Sequence, residues 1–204
     1  INLYNIISEN NNIQFLVGIS DGGCRPQHKW ACFYEDLLNF LNTHDKYIEK
    51  VIYHQSGLYL MEDRFGNINS LEALKEKGPP IITYAALEKT ISYLQSVAKK
   101  IEVNWLGPHA ENSQKLDKKI LVNKGLVLEE NSINKNRLLN KEISKFFYDN
   151  KIQGITFTSY DEFFLIDGDF FIQDNCLTYR DLDHFSICGE KKISQQLNLS
   201  SVGL

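Results

Sequence analysis

An aspartate and a histidine lie three residues apart near the carboxyl end of the chain, in the segment TYRDLDHFSICGEKKIS at residues 178–194. A carboxylate three residues before a histidine, on a loop, can fold back onto the ring Nδ1. That contact fixes the tautomer and leaves Nε2 free to accept a proton. Asp181 and His184 are therefore candidates for an orienting acid and a general base, with Asp183 as a competing carboxylate. On spacing alone, solvated turn aspartates and a helix-capping histidine are the plainer interpretation of the segment.

The elements that must position this pair alternate between helical and strand-like patterns along the chain. Helical spacing of apolar residues predicts four helices before the pair and one that begins at about Cys188, whereas short apolar runs predict four core strands. The four earlier helices fall at about residues 1–10, 30–41, 83–100 and 138–147, and the strands at 13–19, 50–55, 101–107 and 154–160. Two apolar runs on either side of Asp167 and Gly168 predict a hairpin with a two-residue turn.

This order predicts a fold class. Strands that alternate with crossover helices favour a parallel sheet covered on both faces, which is a three-layer α/β/α sandwich. In such sheets ligands bind beyond the carboxyl ends of the strands. The segment WLGPHAEN, at residues 105–112, ends a strand at that edge, so Trp105 and His109 are candidates for contact with a substrate. A packed tryptophan and a loop histidine are the plainer interpretation.

Composition excludes several classes of protein. The chain has 204 residues, which predicts a single domain over 1–204, and 22 basic against 26 acidic residues give a net charge of −4. Because no cluster of Lys and Arg supplies a basic stripe, a nucleic-acid partner is disfavoured. Hydrophobic residues make up 43% of the chain, too many for a disordered protein. No apolar run approaches the roughly 18 residues of a membrane helix. The histidines and cysteines show no metal-ligand spacing, and we expect neither a metal nor a cofactor.

The terminal segment resembles the closing block of the SGNH hydrolase superfamily. It is closest to the variant found as the periplasmic C-terminal domain of acyltransferase family 3 proteins, in which the block reads approximately D-x-x-H-L-S-x-x-G. Here Phe185 replaces the usual leucine. That group also has a Cys-x-Pro element and a second cysteine after a strand, matched by Cys24-Arg25-Pro26 and Cys32. The resemblance implies an SGNH, flavodoxin-like fold and a catalytic dyad of Asp181 and His184.

The nucleophile of the superfamily has no match in this sequence. The superfamily begins with a strand that carries Gly-Asp-Ser, directly followed by a helix, and this chain contains no Gly-Asp-Ser. If residues 1–10 are that helix, the first strand and its serine precede Ile1. The alternative nucleophile is Ser20, on a strand-to-helix turn, although its aspartate follows the serine instead of preceding it. A turn serine that bonds its own backbone is the plainer interpretation of Ser20.

Oxyanion donors and a disulfide are also implied by the resemblance. One donor would be the backbone N–H of Gly22 or Gly23, and the amide of Gln55 is a candidate for the second, although both glycines are also expected in a turn. The four cysteines by themselves are consistent either with buried thiols or with a bridge. The resemblance favours a disulfide between Cys24 and Cys32.

These observations together predict the function. We expect an O-acyltransferase domain, with acetyl as the expected acyl group, that modifies a cell-envelope polysaccharide or peptidoglycan. By resemblance, an upstream integral-membrane acyltransferase domain would deliver the acyl group, and the domain would lie in the periplasm of a bacterial inner-membrane protein. The alternatives are an SGNH carbohydrate esterase or deacetylase with the same residues, and a non-catalytic glycan-binding domain.

Overall fold

A three-stranded parallel sheet forms the centre of the protein, as seen in a computed structural model that describes residues 3–9, 16–18, 25–26, 34–113, 129–167 and 171–204. Its helices are α1 (Leu3–Ser8), α2 (Tyr34–His44), α3 (Glu72–Lys75), α4 (Tyr84–Ala98), α5 (Glu130–Asp149), α6 (Tyr160–Phe163) and α7 (Ile187–Gln196). Its strands are β1 (Lys50–His54), β2 (Met61–Glu62), β3 (Ile81–Ile82), β4 (Glu102–Leu106), β5 (Ile155–Thr158), β6 (Ile172–Gln173) and β7 (Cys176–Leu177).

The central sheet has the strand order β1-β4-β5, and both pairings are parallel. Its register places His54 beside Leu106, and Leu106 beside Thr158. The carboxyl ends of the three strands therefore lie at one edge, where parallel α/β sheets bind ligands. Two short antiparallel pairs, β2 with β3 and β6 with β7, form separate two-stranded sheets.

Apolar side chains alternate between the two faces of the sheet and build two cores. Val103 and Trp105 of β4 belong to the core that contains α4 and Leu41 of α2, whereas Leu106 belongs to the core that contains α1 and α7. The period of two follows from the pleat of a strand. Since helices cover both faces, the predicted three-layer α/β/α class is confirmed.

The sequence pattern located most elements and missed two details. Of the predicted strand at 13–19, residues 16–18 are described; they have no regular secondary structure, and Val17 is 64% exposed. Gly168 of the predicted hairpin turn lies outside the described residues, and the run at 163–166, predicted as the first strand of that hairpin, is not a strand. The apolar run at 163–166 begins at the end of α6 and continues as irregular, largely buried backbone.

The hairpin is instead formed by β6 and β7, around Asp174 and Asn175. Both turn residues have positive φ, 48° and 60°. A two-residue hairpin turn of this kind needs positive φ at both positions, and Asp and Asn tolerate it better than other non-glycine residues. The structure thus places the turn at an Asp-Asn pair that precedes Asp181 by six residues.

Candidate functional site

Asp181 and His184 lie on a short loop between β7 and α7. The loop is closed by the antiparallel bridge of Tyr179 with Phe185 and by a 2.9 Å hydrogen bond from the Arg180 N–H to the His184 carbonyl. The rings of Tyr179 and Phe185 are buried and pack against each other with centroids 4.9 Å apart. The buried pair of aromatic rings therefore anchors a polar loop at the protein surface.

The side chains of Asp181 and His184 meet as the sequence predicted. His184 Nδ1 lies 2.8 Å from Asp181 Oδ1, and the same oxygen accepts from the backbone N–H of His184 at 2.9 Å and of Asp183 at 3.2 Å. When Nδ1–H donates to Asp181, the Nε2 lone pair is left to accept a proton. About one third of the His184 side chain is exposed, so a substrate can reach the ring.

Asp183 is a second carboxylate at the same ring nitrogen, with its Oδ1 3.1 Å from His184 Nδ1. Asp181 is the closer of the two and is also fixed by two backbone donors. Its partial burial opposes ionisation, but the bonds from the His184 ring and N–H prevail and hold the pKa of Asp181 below its usual value. Asp181 is therefore charged at neutral pH and suited to orient and stabilise a protonated His184.

The loop is held from behind by the segment that follows β4. His109 Nε2 lies 3.1 Å from the Asp183 carbonyl, the Asn112 N–H donates to the Leu182 carbonyl at 2.7 Å, and the Asn112 side-chain amide donates to the Asp181 carbonyl at 3.1 Å. Three consecutive carbonyls before His184 are thus hydrogen-bonded to residues 109–112, which we call the clamp segment. Hydrogen bonds that hold the backbone of a loop in this way also fix the geometry of its side chains.

His109 is buried, at 1% exposure, and therefore acts from beneath the loop, not on its surface. Its Nδ1 lies 3.1 Å from His54 Nε2, and His54 Nδ1 lies 3.0 Å from the Leu106 carbonyl. Burial lowers the pKa of His54 to about 4 and that of His109 well below its usual value, so both rings are neutral at pH 7. Two neutral rings have two N–H groups, which donate to the two carbonyls, and the contact between the rings is then not a hydrogen bond. We no longer assign His109 to substrate contact; its bond to Asp183 gives it a positioning role.

Trp105 was a candidate for substrate contact, and the structure places it in the core. Its side chain has no exposed surface and packs edge-on against Tyr53, Phe147 and Phe157. The ring belongs to the apolar core and does not line the pocket beside Asp183, so we do not retain this assignment. The tryptophan fills the face of the sheet opposite α1.

Gln55 follows β1 and is also buried, at 1% exposure. Its Oε1 accepts from the Tyr53 hydroxyl at 2.8 Å, and its Nε2 has no hydrogen-bond partner within the described residues. The amide N–H groups are thus unpaired within the described residues, but they are buried and closed to a substrate in this structure; the role of oxyanion donor stays a prediction. Gly22, Gly23 and the alternative nucleophile Ser20 lie outside the described residues.

Ser186 and Gly189, which follow His184 in the terminal block, have structural roles. Ser186 is the N-cap of α7, and its Oγ accepts from the Gly189 N–H at 3.1 Å. A Cβ on Gly189 would lie 2.2 Å from the Thr178 carbonyl oxygen, so a larger residue requires the backbone to move. Serine and glycine are therefore needed here for a helix start and for close packing under the loop.

A disulfide joins Cys176 of β7 to Cys188 of α7, across a separation of 12 residues that includes the loop with Asp181 and His184. The sequence pattern did not predict this pairing. The predicted bridge between Cys24 and Cys32 lies outside the described residues. A link over about 13 residues stabilises a fold by roughly 3 kcal/mol in the chain-entropy account, and here it also restrains the loop.

One group in the described part of the chain has metal-ligand geometry. Asp181, Asp183 and His184 each place a ligand atom within 4.8 Å of the others. The hydrogen bonds of Asp181 to His184 already account for this cluster, and we assign no metal to it. An aspartate-oriented histidine beside a pocket can deprotonate a hydroxyl group and return the proton to a leaving group, as ester chemistry requires.

Comparison with known proteins agrees with this geometry. A family model described as "SGNH domain (fused to AT3 domains)" matches residues 4–198. No curated protein and no solved structure matches the chain significantly. None of the described helices is long and apolar enough to cross a membrane. Since the match covers nearly the whole sequence, this chain belongs to the family of SGNH domains that are fused to AT3 domains.

Proposed function

We propose that this domain transfers an acyl group, with acetyl as the expected group, to a hydroxyl of a cell-envelope polysaccharide. The observation that carries the proposal is the contact of Asp181 with His184 Nδ1 at the sheet edge where ligands bind. The family is one of ester chemistry and is fused to AT3 domains, which supports a membrane acyltransferase domain as the donor and an extracytoplasmic location.

In the proposed mechanism a serine that precedes Ile1 is the nucleophile. His184 takes the serine proton while the serine attacks the acyl donor, and returns it to the leaving group. It then takes the proton of the sugar hydroxyl that attacks the acyl-serine, and returns that proton to the departing serine oxygen. Asp181 stabilises the imidazolium in both half-reactions, and Gln55 would donate to the oxyanion.

An esterase that uses the same residues with water as acceptor is the second candidate. The exposed surface of His184 favours it, because water can reach the base. The two activities differ in the product: a transferase yields acylated glycan, whereas an esterase releases free acetate from acetylated glycan.

The test uses the intact protein with the surrogate donor 4-nitrophenyl acetate and a polysaccharide acceptor. His184→Ala should lower acyl transfer at least 1,000-fold (about 4 kcal/mol), the order expected when a general base of a triad is lost. The matched control is His44→Ala, since His44 is an exposed histidine at the end of α2, before β1 begins. Retained transfer in His184→Ala would overturn the dyad.

A further inference from the structure

A pocket opens beside the catalytic loop, with a volume of about 240 Å³. Its walls come from the segment after β1, with Ser56 and Tyr59, from Glu111 of the clamp segment, and from Leu182 and Asp183 of the loop itself. Asp183 directly precedes His184, so a group held here lies next to the general base. Ligand pockets for drug-sized molecules are usually about 300–1,000 Å³, so this one suits a smaller group such as a single sugar ring.

Glu111 is the unusual residue of this pocket. Its side chain has no exposed surface, and its Oε1 accepts from the Gly57 N–H at 2.8 Å. Its Oε2 has no partner at hydrogen-bond distance within the described residues, and the Ser56 hydroxyl is the nearby polar group that lowers the Glu111 pKa. The backbone around it is fixed, because its carbonyl accepts from the Ser132 hydroxyl and the next residue, Asn112, bonds the catalytic loop. A buried polar atom without a partner is uncommon and needs an explanation.

The surroundings of Glu111 favour its uncharged form. Burial, and after it the charge of Asp183, raise the pKa of Glu111 to about 8, against the lowering effects of the Ser56 hydroxyl, the Gly57 N–H and Arg25. Arg25 lies over the Tyr59 ring, 4.3 Å from its centroid. At neutral pH Glu111 therefore carries a proton. Because Oε1 accepts from Gly57, that proton belongs on Oε2, which then becomes a donor.

We propose that this pocket binds one uncharged sugar ring of the acyl acceptor, and that Glu111 donates a hydrogen bond from Oε2 to an oxygen of that ring. The inference rests on the proposed function and adds the acceptor site to it. A sugar ring supplies the oxygen that Oε2 lacks, a hydroxyl for the Asp183 carboxylate, and an apolar face for Tyr59 and Leu182. Asp183 also disfavours acidic sugars in this pocket.

The test compares the wild-type intact protein with Glu111→Gln and Glu111→Leu. The donor is 4-nitrophenyl acetate, and the acceptors are neutral methyl glycosides of glucose, galactose, mannose and rhamnose. Glutamine keeps a donor at every pH, whereas the leucine variant has none. We expect the acceptor KM of the wild type to rise about tenfold between pH 7 and pH 9, as Glu111 loses its proton. The acceptor KM of Glu111→Gln should stay constant, and that of Glu111→Leu should be raised at least tenfold already at pH 7.

Thermal unfolding gives a readout that does not depend on activity. A carboxyl group whose pKa is raised in the folded state contributes stability that is complete below its unfolded pKa of about 4.5 and is lost as the pH rises through about 8. The Tm of Glu111→Gln minus that of the wild type should therefore grow from pH 5 to pH 8 and then level off. Glu88→Gln makes the same substitution at an exposed position on α4 and is the matched control.

The outcomes separate the two proposals. If the wild type turns over 4-nitrophenyl acetate but acetylates none of the glycosides, the pocket does not accept a sugar ring and this inference fails, while the ester chemistry stands. The inference also fails if the three proteins have equal acceptor KM values at all pH values. If the wild type does not react with 4-nitrophenyl acetate, or if His184→Ala reacts equally well, the proposed function fails first.

Discussion

The two carboxylates at His184 Nδ1 lead to a quantitative prediction about Asp181→Asn and Asp183→Asn. A single ring N–H can make one good hydrogen bond, and the Asp181 oxygen is closer, at 2.8 Å against 3.1 Å for Asp183. Asp181 also accepts two backbone N–H groups, so it needs no reorganisation to hold the ring. We therefore expect Asp181 to orient the His184 ring, and Asp183 to accept the ring N–H more weakly when Asp181 is replaced.

The magnitude follows from the bond that is lost. A hydrogen bond to a charged group contributes about 1.5–3 kcal/mol, which corresponds to a loss of about 10- to 150-fold in rate for Asp181→Asn. Loss of the orienting aspartate from a protease triad costs about 10⁴-fold. We expect the smaller effect here because Asp183 can take over the ring N–H. Asp183→Asn should cost less than about fivefold, and the double variant should approach the 10⁴-fold loss.

The assay is kcat for acyl transfer from 4-nitrophenyl acetate in the intact protein, measured for the wild type, both single variants and the double variant. A double-mutant cycle then gives the coupling between the two carboxylates. The reasoning is refuted if Asp183→Asn loses more activity than Asp181→Asn, or if the double variant loses no more than the product of the single losses.

Three further predictions concern the support of the catalytic loop. Cys176→Ser should lower Tm and kcat together, because the loop between Cys176 and Cys188 loses its restraint; an unchanged kcat would contradict this. Asn112→Ala removes the amide bond to the Asp181 carbonyl and should lower kcat about tenfold while KM for the ester donor stays unchanged, whereas a change in KM alone would argue against a positioning role. Gly189→Ala brings a Cβ against the Thr178 carbonyl and should destabilise the domain by about 1–3 kcal/mol in urea unfolding; equal stability would show that the backbone relaxes freely.

The sequence predicted the elements whose apolar pattern has a clear period. β1, β4, β5 and α4 have such patterns, and each was located within a few residues, whereas α5 begins at Glu130, about eight residues before the predicted start. The hairpin was misplaced because the Asp-Gly pair at 167–168 is a stronger turn signal than Asp174-Asn175. The apolar run before it, at 163–166, is buried as irregular backbone, which a period-two pattern cannot distinguish from a strand.

At the site, the resemblance pointed to Asp181 and His184. The sequence did not indicate which residues hold their loop in place. Asp181 and His184 are near neighbours in sequence, so their contact follows from local geometry. Asn112 and Glu111 are about 70 residues away, and their roles depend on how β4 packs beside the loop. The segment HAEN was noted for its position at the strand end, but polarity alone did not indicate which side chains would be buried. Likewise, the pairing of Cys176 with Cys188 needs the β6–β7 hairpin in place.

The most direct test of the central claim is labelling of the intact protein with a fluorophosphonate, followed by mass spectrometry to locate the modified residue. The account predicts a labelled serine that precedes Ile1, with labelling lost in His184→Ala and retained in His44→Ala. Labelling at Ser20, or labelling of the His184→Ala variant at the wild-type rate, would contradict it.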